Sequence, residues 1–203
     1  MITKFLRAPR QRVTFVLAAL TLIGCSSSSK SSSNDSSTPG GTPTDPVAFG
    51  AMFTFADNEV SGWTLSTDPN TSYAHYGTYT DSTLDQRIDG GNMPYIQRGM
   101  TLAMYEDLMG PSGSLCTVVA MYFGTADNAT TMFNYQKDKT GANIAIGSYD
   151  ASTAIGYSTL SGVTAYAHFQ AYYFETQVSG VADDAAGAQV SAQFLQVLQS
   201  KAK

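Results

Sequence analysis

From residue 46 onward, apolar side chains recur with two different spacings. In "LCTVVAMYF" (115–123), Leu115, Val119, Met121 and Phe123 fall on one side and Cys116, Val118, Ala120 and Tyr122 on the other. Both sides are apolar, which predicts a central strand covered on two faces. Residues 100–109 precede it across "GPSG", so the pair reads as a β-hairpin. Residues 163–178 are strongly strand-like, and 142–160 read as short strands around turns. Helical spacing takes over elsewhere. Thr125 caps a helix running to about Lys139, with Ala129, Met132, Phe133 and Gln136 as its inward stripe. Asp183 or Asp184 starts a last helix with Val190, Phe194, Val197 and Leu198 in register, and lysines at its end suit the helix dipole.

Between these lie shorter signals. Residues 47–55, "VAFGAMFTF", carry strand character, and Trp63 is placed to plug the edge of the core. Asp81 or Ser82 can cap a short helix with Leu84 and Ile88 on one face, which Gly90-Gly91 ends. Asn92 and Pro94 start another that Gly99 stops. The fold class that follows is α+β: a single domain over residues 46–203, mainly antiparallel sheet, with packed helices including a C-terminal one.

The first 45 residues follow a different pattern. Lys4, Arg7, Arg10 and Arg12 form a basic region, and residues 13–23 an apolar run too short for a spanning helix. Leu22-Ile23-Gly24-Cys25 resembles the lipobox of bacterial lipoproteins. The resemblance implies a signal peptide over residues 1–24 and a lipid-modified Cys25, whose soft sulfur forms the thioether. Buried methylenes contribute about 0.8 kcal/mol each, so two or three acyl chains hold firmly where one does not. Ser26 stands where such lipoproteins commonly carry a retention aspartate, which implies an outer-membrane address in a Gram-negative cell. Residues 26–45, "SSSSKSSSNDSSTPGGTPTD", have no large apolar side chain and cannot offset the entropy of ordering. They read as a disordered spacer with an end-to-end distance of about 25 Å.

Charge narrows the partners. The precursor has 11 basic and 16 acidic residues; loss of the four basic residues before Cys25 leaves 7 against 16, a formal charge of −9. No basic run follows residue 12, so nucleic acid is a poor partner. With Cys25 taken by lipid, Cys116 has no disulfide partner and reads as a small buried hydrophobe.

At "IDGGNMPYIQRGM" a second resemblance appears. The order Trp63, Leu84, Ile88, Asp89-Gly90-Gly91, Tyr95 and Gly99 is similar to an uncharacterised domain family of bacterial envelope proteins, as are the hairpin, "TADNATTMF" and "AYYFETQVSG". The likeness spans about residues 55–202. It implies one domain and an envelope setting, and no catalytic residue. That family has a glycine in the turn before its last strand; here Phe169-Gln170-Ala171 has none. The chain either turns there with strain or in a wider loop, or continues as one bent strand.

Catalytic motifs are absent: no G-x-S-x-G elbow, P-loop, G-x-G-x-x-G or H-E-x-x-H occurs. The sequence names no cofactor and no metal site. On a continuous strand, Tyr166, His168, Gln170 and Tyr172 would line one face, a polar-aromatic surface suited to sugars or small ligands. Asp89, beside two glycines, is a second ligand-binding candidate. Glu106 and Asp107 point to opposite faces of a strand and cannot share one site. His75 reads as solvated or tyrosine-packed, and Tyr73, Tyr76 and Tyr79 as an aromatic patch or edge packing. The chain therefore reads as a lipid-anchored envelope lipoprotein carrying a non-catalytic binding or assembly module, its partners the membrane and an envelope protein or glycan. The alternatives are a surface hydrolase pairing His168 with Asp89 or Glu175, and a purely structural lipoprotein.

Overall fold

The computed structural model describes residues 42–68 and 74–203. Residues 1–41, on which the expected signal peptide, the lipid-modified Cys25 and most of the expected spacer fall, and Tyr73 lie outside the described residues. The first element corrects an expectation. Residues 47–55 carry strand character in sequence, and Val47, Phe49, Ala51, Phe53 and Phe55 do alternate. The structure instead forms helix α1 (Pro46–Phe53). Asp45 accepts a hydrogen bond from the Val47 amide at 2.9 Å, and Pro46 supplies the preset φ of a first helical position. Phe49 and Phe53 are also four apart, and both are buried on the helical face. The cap chooses between two periodicities that the apolar residues satisfy equally.

Among the described residues, seven strands form one antiparallel sheet: β1 (Thr64–Leu65), β2 (Tyr76–Thr80), β3 (Leu102–Met109), β4 (Leu115–Tyr122), β5 (Ala154–Ser158), β6 (Gly162–Phe169) and β7 (Tyr172–Ser179). Their order is β1-β3-β4-β7-β6-β5, with β2 also paired to β3. The "GPSG" hairpin forms in register, Leu102 opposite Tyr122 and Met109 opposite Leu115. β4 lies inside the sheet with apolar side chains on both faces. Cys116, Val118, Ala120 and Tyr122 join one core cluster, Val119, Met121 and Phe123 the other.

Residues 163–178 are two strands. Gln170 adopts the left-handed φ of 52° that the missing glycine would have taken, and β6 and β7 pair from Phe169↔Tyr172 onward. A non-glycine residue there stores strain, which the ladder on either side holds in place.

Helices cover both faces. On one, α1 and α5 (Asp184–Lys201) pack with Trp63, whose ring meets Phe194 edge-on at 5.2 Å. Asp183 caps α5 through the Ala186 amide at 2.8 Å. The buried side of α5 runs through Ala188, Ser191, Ala192, Phe194, Leu195 and Leu198, while Val190 and Val197 sit at its margin. The stripe is therefore rotated from the expected one, since small residues let the helix approach the sheet closely. On the other face lie the short helices α2 (Asp85–Ile88) and α3 (Met93–Ile96) and the longer α4 (Ala126–Thr140). Thr125 caps α4 through the Asn128 amide, and Ala129, Met132, Phe133 and Gln136 are its buried residues, as the spacing predicts. The fold is a single α+β domain.

Gly162, at the start of β6, leaves no room for a side chain: an added Cβ would run into the Val178 carbonyl oxygen of β7. That neighbour is ladder backbone and cannot swing aside. Gly162→Ala should lower stability by about 1–3 kcal/mol in urea denaturation; an unchanged midpoint would contradict this packing.

Candidate functional site

The α4-side face of the sheet can be read as rows of residues directly opposite one another. The first row is Ala103, Met121, Tyr173 and His168; the second is Tyr105, Val119, Glu175, Tyr166 and Ile155. The third is Asp107, Thr117, Gln177, Thr164 and Tyr157. Apolar and aromatic members of the first two rows form one core with Ala129, Met132 and Phe133 of α4. α4 ends at Gly141, in the left-handed conformation with φ 64°. The third row is polar and lies beyond that core. Its members other than Asp107 line a cleft of about 430 Å³, together with Leu115 and Ser161. No charged side chain lines it.

Two carboxylates stand next to this floor and fix its polar groups. Glu175 is buried one row inward. The Gln177 amide donates to Glu175 Oε1 at 2.7 Å, and the Tyr173 hydroxyl donates to Oε2 at 3.2 Å. Asp107 accepts the Thr117 hydroxyl proton at 2.6 Å and receives the Arg87 guanidinium at 3.1 and 3.2 Å. With its proton committed to Asp107, the Thr117 oxygen has only lone pairs left to offer. With one N–H committed to Glu175, Gln177 keeps its amide oxygen and a second N–H for the cleft. Tyr157 stacks on Tyr166 at 5.8 Å and 26°, and its remaining surface lines the cleft.

The inner row is unusual in its chemistry. Burial raises the pKa of Glu175, against hydrogen bonds from Gln177 and Tyr173 that lower it. Burial and the nearby Glu175 charge push the Tyr95, Tyr105, Tyr166 and Tyr173 hydroxyls well above the ordinary tyrosine value. These tyrosines stay protonated, and the Tyr173 hydroxyl donates to the carboxylate. Gln136 of α4 donates to the Tyr95 oxygen at 2.9 Å, joining the helix to this network.

The sequence candidates are dispersed. Tyr166 and His168 share the α4 face, but Tyr172 lies on the opposite one, packed at 5.4 Å from Tyr122 and 5.5 Å from Phe53. The turn at Gln170 ends β6, so the alternation does not run on into β7 on one face. Tyr166 is buried rather than presented, and His168 packs at 5.0 Å from Phe133. Asp89 is exposed at the end of α2, with φ 37°, away from the floor. Tyr76 and Tyr79 point to opposite faces, Tyr76 opposite Glu106 and Tyr79 opposite Ala103, so they form no shared patch.

The hydrolase pairing is not assembled. His168 contacts the Thr130 hydroxyl at 3.3 Å and the Ser152 carbonyl at 2.9 Å, and neither nitrogen meets a carboxylate. His75 contacts the Asp68 carbonyl oxygen at 2.7 Å, and its other nitrogen lies 3.7 Å from Asp107, which Arg87 and Thr117 already engage. Among the described residues there is no group of three or more His, Cys, Asp or Glu able to hold a metal, and no helix long and apolar enough to cross a membrane. Cys116 is buried, and burial raises its thiol pKa. The cleft residues Thr117, Thr164 and Gln177 belong to no motif in the sequence. Their signal is a hydroxyl or amide at an inward-facing position of three strands that pair as neighbours.

No protein-family model matches the chain, and no curated protein matches it. Among solved structures, it is similar to the extracellular domain of PknH from Mycobacterium tuberculosis, at 12% identity and a TM-score of 0.44. That match covers 78% of this chain and 98% of the other.

A second buried carboxylate, Glu106, lies on the α1 side and accepts from the Phe55 amide at 2.9 Å. Burial raises its pKa from the ordinary 4.5 to about 7. The folded state thus holds this proton more tightly than the unfolded chain. Its stabilising contribution is complete below pH 4.5 and is lost as pH rises through about 7. Urea denaturation at pH 5 and pH 8 should show a smaller loss of stability for Glu106→Gln, which keeps the acceptor for Phe55, than for the unaltered chain. Equal losses in both would contradict the assignment.

Proposed function

We propose that the chain is a lipid-anchored envelope lipoprotein whose domain is a non-catalytic binding module, and that the ligand sits in the cleft beyond the end of α4. One observation carries the reading. Thr117, Gln177, Thr164 and Tyr157 line the cleft with neutral hydrogen-bonding groups, and the carboxylates beside them are occupied in orienting Thr117 and Gln177. A site that transfers protons needs an ionisable group facing the substrate. Here both carboxylates are engaged by Arg87, Thr117, Tyr173 and Gln177, and the cleft presents amide, hydroxyl and aromatic ring. The volume lies within the range of small-molecule sites, about 300–1,000 Å³. The lipobox-like Leu22-Ile23-Gly24-Cys25 and the serine-rich tract after it support the anchor.

Both halves have direct tests. Cys25→Ser should abolish incorporation of a labelled fatty acid and release the chain from membranes; unchanged labelling would contradict the anchor. For the cleft, Ser161→Trp fills the rim from an exposed position. Small polar compounds that raise the melting temperature of the unaltered chain should lose that shift in Ser161→Trp and keep it in Asp89→Asn. Shifts that survive Ser161→Trp would place the ligand elsewhere.

A further inference from the structure

We propose that the cleft takes a neutral, hydroxyl-rich ligand, an uncharged oligosaccharide segment laid against Tyr157. The proposal rests on the cleft being the binding site and adds the chemistry of its ligand. Three properties of the lining point the same way. The first is charge: with no acidic or basic side chain in the lining, a charged ligand would lose hydration with nothing to replace it. The domain carries a surplus of acidic residues, which disfavours anions further.

The second is hydrogen-bond polarity. Thr117 has its proton fixed on Asp107 and offers the cleft an acceptor only. Gln177, held by Glu175 at 2.7 Å, offers its amide oxygen and one N–H. Thr164, 95% buried by its 5% exposure, and Ser161 at the rim add hydroxyls that donate or accept. A ligand that satisfies this set must donate hydrogen bonds while carrying no charge. Hydroxyl groups do both, and sugars carry one on nearly every carbon.

The third is the aromatic surface. Tyr157 is held on Tyr166 by stacking, so it meets the cleft as a fixed plane. The electron-rich face of such a ring attracts the positive edge formed by the axial C–H groups of a pyranose. Leu115, 40% exposed beside the same cleft, extends the apolar side. A small apolar platform next to a fixed set of neutral polar groups matches a sugar ring, which has one apolar face and a polar rim.

The experiment uses the full chain, titrated calorimetrically with neutral gluco-, manno- and N-acetylglucosamine oligosaccharides. Uronic-acid and sulfated oligosaccharides and short neutral peptides serve as competing classes. At least one neutral series should bind. Thr164→Val, which keeps volume, and Tyr157→Leu, which removes the ring, should each weaken that binding about 5-fold or more, the scale of one lost hydrogen bond or ring contact. Their melting temperatures, read in parallel, separate lost binding from lost folding. Binding of charged sugars or peptides that Ser161→Trp abolishes, with neutral sugars inert, would overturn the ligand class and leave the cleft as the site. Should no compound of any class respond to Ser161→Trp, both the class and the site are overturned.

Discussion

Antiparallel pairing through β4 and β7 is the constraint on which the rest depends. Because these two strands lie in the middle of the sheet, their side chains alternate between two covered faces, and every second residue must match the helix above it. Along β7 the α4-side positions are Tyr173, Glu175 and Gln177, a passage from aromatic ring to carboxylate to amide. The neighbouring strands turn polar at the same row, with Thr117 on β4 and Thr164 on β6. The boundary between dry core and polar cleft is thus a line drawn across the sheet by register, and the end of α4 at Gly141 fits it.

A buried carboxylate at that boundary is tolerated only because its partners are complete. Glu175 meets donors from Tyr173 and Gln177, and Asp107 meets Arg87 and Thr117. A lone buried charge would cost several kcal/mol, whereas one held by several donors is far less costly and fixes those donors in place. The cleft floor gains its definite orientation from the same bonds. The bonds that stabilise the carboxylates also fix the groups that the proposed ligand would touch.

Much of the fold could be read from periodicity. The two-faced strand at 115–123, the "GPSG" hairpin and the Thr125 and Asp183 caps are all local signals whose residues lie within a few positions of one another. The first helix was misread because Phe49 and Phe53 fit both spacings, and only the Asp45 cap with Pro46 separates them. The grouping of Tyr166 and His168 with Tyr172 failed for a related reason: a turn at Gln170, made without glycine, reverses which face the alternation serves. The cleft was hidden more deeply. Thr117, Thr164 and Gln177 lie on three strands separated by up to 60 residues, and each alone is an ordinary polar residue at a strand end. Only their register makes them a row, and register between distant strands is a tertiary fact.

The central claim, that the polar row opens to solvent at Gln177 while the opposite face is sealed, is tested by thiol accessibility. In the chain carrying Cys25→Ser, Gln177→Cys and Thr176→Cys place a sulfur on adjacent residues facing opposite sides of β7; Gln177 is exposed and Thr176 has 0% exposure. Under native conditions a maleimide should modify Gln177→Cys at close to the rate of the unfolded chain, and should reach Thr176→Cys only on unfolding. Equal protection of both thiols would mean that something covers the row, and equal reactivity that the sheet is not sealed on its other face; either result contradicts the account.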